Sequence, residues 1–176
     1  MTSDNKYKII MLGDFAVGKT SLVKRYVLDQ FDDLYLTTIG VKVMKKEIVV
    51  PHGGVSKNVT MLLWDVGGIF DAGVVMTQYL QGARGAVVVV DLTRITRISS
   101  IEGHIREYRA INPDGFLVIA FNKCDVAMSE DFKGSIDNII ASYASRYSVT
   151  VLKTSAKTGE NVETLFTRMA SGILGS

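Results

Sequence analysis

Short apolar runs alternate along the chain with stretches of helical spacing. Residues 7–12 form an apolar run ending at Gly13, the pattern of a strand feeding a turn. Residues 20–28 then place Leu22, Val23, Tyr26 and Val27 on one helical face. Residues 41–50 and 59–64 read as two strands. Pro51-His52-Gly53-Gly54 breaks the chain between them, so a hairpin is expected there. Residues 87–90 are a β-branched run closing on Asp91, as in a central parallel strand buried on both faces. Beyond it the pattern predicts a helix over 98–110, interrupted by Gly103, then a strand over 116–121. A helix over 135–146, a strand over 149–152 and a closing helix over 161–173 complete it. Strands alternating with helices imply an α/β fold with a doubly wound, mainly parallel sheet. In such sheets ligands sit beyond the carboxyl ends of the strands, which is where chemistry should be sought.

Composition changes this picture little. The chain has 176 residues, without repeats or a low-complexity linker, so a single domain over 1–176 is expected. At 47% hydrophobic and 22% charged it is an ordinary globular chain, long enough to bury a core without disulfides. Cys124 is its single cysteine and has no intramolecular partner, which fits a reducing, cytoplasmic setting. A net charge of +2 gives no argument for nucleic acid or an anionic membrane. No apolar run has the length of a membrane span, and no signal or lipid-anchor motif is visible at either end. A peripheral membrane location would require an anchor on a longer native chain.

Candidate chemistry lies just after the expected strands. Gly13-Asp14-Phe15-Ala16-Val17-Gly18-Lys19-Thr20 matches G-x-x-x-x-G-K-[ST] between a strand and a helix, the context of a P-loop. Backbone N–H groups of such a loop converge on phosphate, and the helix dipole adds to the attraction. Lys19 is expected to reach β- and γ-phosphates, and the Thr20 hydroxyl to bind Mg²⁺. The base is chosen elsewhere. Phe121-Asn122-Lys123-Cys124-Asp125 follows a buried strand. Asp125 can accept from N1–H and the 2-amino group of guanine, whereas adenine would leave the carboxylate unpaired. Asn122 is expected to tie this loop to the P-loop, and the Lys123 stem to cover one face of the base. Thr154-Ser155-Ala156-Lys157 follows another strand, and the Ala156 N–H is a candidate donor to guanine O6. Taken alone, the last two motifs are also ordinary strand-end turns. The three together, in order, are specific.

These motifs resemble those of Ras-superfamily small GTPases over nearly the whole length. The match is Rab-like at Gly18 to Val23, Thr37-Thr38-Ile39-Gly40-Val41, Asn122 to Asp125 and Thr154 to Gly159. Trp64-Asp65-Val66-Gly67-Gly68 and Ala16 are closer to Arf proteins. The resemblance implies a P-loop G-domain, with a mainly parallel six-stranded sheet and helices on both faces. It implies GTP/GDP as ligand with Mg²⁺, held by Ala16, Val17, Gly18, Lys19, Thr20, Ser21, Asn122, Lys123, Asp125, Ser155, Ala156 and Lys157. Thr38 would join Thr20 on Mg²⁺, and Asp65 would hold the ion through water. The Gly68 N–H would meet the γ-phosphate, and Tyr35 would fold over the phosphates. Phe31 would pack on the guanine ring, or else fold back onto its own helix. Loss of the γ-phosphate would release both switch loops, through which effector and regulator proteins would bind.

Departures from the family bear on catalysis and partners. Ile69 stands where the family usually has the Gln that orients the attacking water, and Ile has neither donor nor acceptor. Phe15 puts a large ring at a P-loop position that is usually small. It either crowds the water and blocks an arginine finger or swings outward onto Ile69-Phe70. On the partner face Trp64 and Tyr79 are retained, Val43 replaces the interswitch aromatic, and Ala72 replaces the early switch II aromatic, followed by Gly73, Val74 and Val75. The hairpin turn through His52 and Lys57 reads as long and solvated. The expectation is therefore a GTP/GDP switch with weak intrinsic hydrolysis. The alternative is a non-catalytic GTP-binding module. Asn122 and Asp125 argue against a third reading, a P-loop ATPase or small-molecule kinase.

Overall fold

The computed structural model describes residues 5–32, 40–67, 74–97, 99–126 and 130–175. Six strands form one sheet: β1 (Lys6–Leu12), β2 (Val41–His52), β3 (Val55–Val66), β4 (Ala83–Asp91), β5 (Phe116–Asn122) and β6 (Thr150–Lys153), in the order β2-β3-β1-β4-β5-β6. Only the β2–β3 pair is antiparallel; β1 runs parallel to β3 and β4, and β4–β5 and β5–β6 are parallel as well. The helices are α1 (Lys19–Leu28), α2 (Val74–Leu80), α3 (Ser99–Ile111), α4 (Glu130–Tyr147) and α5 (Val162–Gly175), with a 3-10 segment Leu92–Arg97 kinked at Arg94.

The continuous apolar runs make sense as strands covered on both sides. Successive side chains point to opposite faces, so each run divides between two cores. Ile9, Met11, Val87, Val89, Val118 and Ala120 pack with Leu22 and Val23 of α1 and Leu165, Phe166 and Met169 of α5. Ile10, Leu12, Ala86, Val88, Ile119 and Phe121 pack with Leu80 of α2, Ile101, Ile105 and Tyr108 of α3 and Ile136 of α4. Helices therefore cover both faces of a mainly parallel six-stranded sheet, as expected.

Three local expectations are corrected. Pro51 and His52 do not break the chain, because they continue β2 in register with Ser56 and Val55. The turn is only Gly53-Gly54, with φ of +59° and +80°, the positive-φ pair of a tight two-residue hairpin. The long solvated turn read through His52 and Lys57 is thus strand on both sides. Pro51 is tolerated since β2 is an edge strand and need not donate from every N–H. Gly103 does not interrupt α3, where a Cβ would meet nothing within 4 Å. Finally, α4 begins at Glu130, five residues before the expected start at 135.

Candidate functional site

Among the described residues, the segments with candidate chemistry lie at or just beyond the carboxyl ends of strands. The loop 13–18 leaves β1 and enters α1 under tight steric limits. A Cβ on Gly13 (φ +133°) would lie 2.3 Å from the Val89 carbonyl oxygen, and one on Gly18 (φ +101°) would lie 2.3 Å from Asn122 Nδ2. Both positions need glycine, for backbone conformation and for space. Ala16 also holds a left-handed φ of 63°. Gly18 caps α1 without a side-chain bond, and the first turn has no acidic residue. No carboxylate of that turn thus competes for the N–H groups or the positive end of the dipole.

Lys19 is buried, and its Nζ donates to the Gly13 and Asp14 carbonyls at 2.6 and 2.9 Å. Burial lowers its pKa, and the nearby Asp65 and Asp14 charges oppose that. Thr20 Oγ1 donates to Asp65 Oδ2 at 2.5 Å. Asp65 is 2% exposed, and its other oxygen, Oδ1, is buried with no hydrogen-bond partner. Burial raises the Asp65 pKa, against the Thr20 bond and the Lys19, Lys42 and Lys24 charges. A hydroxyl beside a carboxylate with one unsatisfied oxygen suits an Mg²⁺ ion that keeps part of its water shell. Among the described residues there is no cluster of three His, Cys, Asp or Glu side chains to hold a metal by itself.

The base loop is tied in as expected, and more widely. Asn122 Nδ2 donates to the Val17 carbonyl at 3.0 Å, while Oδ1 accepts from Ala156 N at 3.2 Å and Thr154 Oγ1 at 3.4 Å. One amide thereby joins the P-loop, β5 and the 154–157 loop. The Ala156 N–H, expected to donate to guanine O6, is here bonded to Asn122 Oδ1. Asp125 Oδ1 accepts from Ser155 Oγ at 2.6 Å, and the same Oγ accepts from Thr158 N at 3.0 Å. Ser155, 0% exposed, therefore orients the Asp125 carboxylate. Lys123 (φ 68°) donates from Nζ to the Ala16 carbonyl at 3.1 Å and to Asp91 Oδ2 at 2.7 Å. Its stem so spans from the base loop to the P-loop. The adjacent Cys124 thiol is pushed up to about 11, first by burial and then by Glu160. Phe31 is partly buried and packs against the core that holds α1 and α5.

Two kinds of residue escaped the sequence reading. Asp91, at the end of β4, accepts from Thr93, Arg94 and Lys123, and Arg94 reaches the Phe15 carbonyl at 3.0 Å. Its place at a strand end was the available signal. Arg25 donates to the Ala156 carbonyl at 2.8 Å and the Lys157 carbonyl at 2.7 Å, fixing the 154–157 loop to α1. Nothing local marks Arg25 for that role. Phe15 is 43% exposed. Val43 pairs in register with Trp64, whose ring lies 6.5 Å from that of Tyr79, so these partner-face candidates are together. Tyr35, Thr38, Gly68, Ile69, Phe70, Ala72 and Gly73 lie outside the described residues, as do the side chains of Val74 and Val75.

A family model described as Ras family matches residues 8–175. The chain belongs to the Ras family. Similar proteins place this Ras-family chain near the Rab and Ypt branch. It is 34% identical to the GTP-binding protein ypt5 of Schizosaccharomyces pombe, over 93% of this chain and 75% of that protein. It is 30% identical to the GTP-binding protein YPTM1 of Zea mays, over 97% of this chain and 79% of the relative. The Ras-related protein Rab-1C of Dictyostelium discoideum is also 30% identical, over 97% and 82%. The chain is thus a Rab-like small GTPase by family, and the family binds GTP and GDP, generally with Mg²⁺. Among the described residues no helix is long and apolar enough to cross a membrane.

Proposed function

We propose that this chain is an Mg²⁺-dependent GTP/GDP switch that holds GTP longer than it takes most relatives to cleave it. The observation that carries the reading is the Thr20–Asp65 pair, with its unsatisfied Oδ1, at the mouth of a P-loop joined to a guanine-reading loop by Asn122. In this reading Lys19 and the loop N–H groups neutralise phosphate charge. Thr20 and Thr38 would hold the ion directly and Asp65 through water, and the ion would supply positive charge beside the phosphates. Asp125, oriented by Ser155, reads N1–H and the 2-amino group. Lys157 and Ser21 complete the pocket around the base and phosphates, and Phe31 closes one edge of it. Thr38 and Gly68 would sense the γ-phosphate and pass its presence to effectors and regulators at the partner face.

Hydrolysis is the weak step because phosphoryl transfer depends on positioning and electrostatics. Ile69 offers the attacking water no donor or acceptor. Phe15 adds an apolar ring to the same loop, and its exposure leaves a large aromatic at the loop surface. That exposed ring also favours a second reading, a GTP-binding interaction module without turnover. The two separate in a single-turnover measurement of phosphate release from GTP-loaded protein with Mg²⁺. Slow but clear release, faster after Ile69→Gln with Phe15→Gly, is the expected result. No release from either protein would leave only the binding module. Base choice is tested separately: Asp125→Asn should move preference from guanine to xanthine nucleotides, and an unchanged preference would refute its role.

A further inference from the structure

We propose that the outer edge of β2 is an interface for a second copy of this chain, which pairs with it antiparallel about Lys46 and extends the sheet across both molecules. The proposal does not depend on the nucleotide reading. β2 is an edge strand, and among the described residues no strand lies beyond it. An open edge is a template for another strand. Which of its groups point outward follows from the hairpin. The two-residue turn at Gly53-Gly54 makes His52 and Val55 a hydrogen-bonded pair, and the register runs unshifted to Val41. The Gly67 N–H bond to the Gly40 carbonyl, at 2.9 Å, keeps the same phase just beyond the strand. Even-numbered residues of β2 thus bond to β3, while Val41, Val43, Lys45, Glu47 and Val49 turn their N–H and C=O groups outward. Pro51 stands in the outward set too, where its missing donor costs the β3 ladder nothing.

Side chains of the outward set share one face of the sheet. Met44, Ile48 and Val50 pack on the other face, with the core of α1 and α5. Val41 joins the opposite core, but Val43 and Val49 are 49% and 64% exposed, with Lys45 and Glu47 between them. The order apolar, basic, acidic, apolar is complementary to its own reverse. An antiparallel copy centred on Lys46 sets Lys45 opposite Glu47 and Val43 opposite Val49, each pair occurring twice. Lys45 and Glu47 already pair within one chain, at 2.9 Å, so the centre becomes four alternating charges. The two neighbouring registers oppose Lys45 to Lys45 or Glu47 to Glu47, and like charges directly opposite are destabilising. Lysine and proline on an edge usually discourage pairing; here Glu47 turns that guard into a choice of register. On the other face Lys46 meets its own copy. Its ammonium lies 5.3 Å from the Tyr26 ring centroid of its own chain, which draws it away from the axis.

One strand from each copy makes a small interface, so the dimer should be weak and concentration-dependent. Sedimentation equilibrium of the full chain, from about 10 µM to about 1 mM, tests it. Wild type should move from monomer towards dimer as concentration rises. Lys45→Glu and Glu47→Lys each set like charges opposite one another at two points, and each should weaken self-association about tenfold or more. Mixed in equal amounts, the two single variants should associate again, and so should the variant carrying both changes, because each combination restores both opposite pairs. An interface elsewhere, or a loss of folding, would not give that rescue. Val49→Pro removes an outward donor without touching the β3 ladder, and should also weaken the dimer. A wild type that is monomeric throughout would overturn the proposal. Single variants that associate as wild type does, or a mixture that stays monomeric, would overturn it equally.

Discussion

The Asp91 carboxylate accepts from Lys123 at 2.7 Å, from Arg94 at 2.9 Å and from Thr93 at 2.6 and 2.9 Å, with its side chain 2% exposed. Burial alone would raise its pKa; the Lys123 and Thr93 donors outweigh it and hold the value below the usual carboxylate range. The folded protein therefore binds this proton less tightly than the unfolded chain does. The resulting stability is complete above the unfolded value, about 4, and is lost as pH falls through the lowered one. Asp91→Asn should cost about 1–3 kcal/mol at neutral pH, because an amide oxygen cannot match a carboxylate for an ammonium and a guanidinium. In urea melts the gap from wild type should close as pH drops below about 4. A gap that stays constant down to that range would mean the charge contributes nothing. This residue also marks the limit of reading side chains from motifs. Lys19, Thr20, Asn122 and Asp125 could be named from the sequence because each motif's chemistry demands that residue type. The Lys123 bond to Asp91, the Arg94 bond to Phe15, the Arg25 bonds and the orienting role of Ser155 depend on where the fold brings distant segments, which no spacing encodes.

Elements were legible where a period or a long apolar run dominated, and misjudged where a single breaker residue was weighed against its surroundings. All six strands and the helices at 20–28, 98–110, 135–146 and 161–173 were foreseen in outline. Gly103 and Pro51 were overweighted. A helical glycine on the open side of α3 costs backbone entropy but leaves the hydrogen bonds intact, and a proline on an edge strand forfeits a donor that had no required partner. The 3-10 segment Leu92–Arg97 had no strong period of its own to announce it. The glycines also permit a matched prediction. Gly103→Ala places its Cβ in open space and should stabilise the protein by about 0.5–1 kcal/mol. Gly172→Ala, in α5, would put a Cβ 2.2 Å from the Phe116 ring and should destabilise by about 1–3 kcal/mol. Urea denaturation of both variants checks the pair. Similar effects from the two would mean that α5 does not seat on β5 as closely as the structure has it.

On the scale of the whole molecule, the parallel strands bring the described loops of the site to one end of the sheet. The loop 13–18 follows β1, Asp65 lies near the end of β3, Asp91 closes β4, Asn122 closes β5 and Thr154 follows β6. That convergence follows from topology and was foreseeable from the alternation of strands and helices. Asn122, Lys123 and Arg25 then bind the loops to one another, so nucleotide would join parts of the fold that already depend on each other. A ligand that binds only the folded state raises its stability by mass action, about 2.7 kcal/mol at a hundredfold excess over Kd. For a domain of this size each kcal/mol moves Tm by about 2–4 °C. GDP with Mg²⁺ should therefore raise Tm by roughly 5–11 °C at that excess. ADP should produce little shift, since Asp125 would be left unpaired beside adenine. Chelating Mg²⁺ with EDTA should remove much of the GDP effect in wild type but little in Thr20→Ala or Asp65→Ala, which have already lost part of the ion's support. An equal shift from GDP and ADP would refute the base assignment. A GDP shift indifferent to EDTA in wild type would remove Mg²⁺ from the mechanism and leave the buried, unsatisfied Asp65 Oδ1 without its explanation.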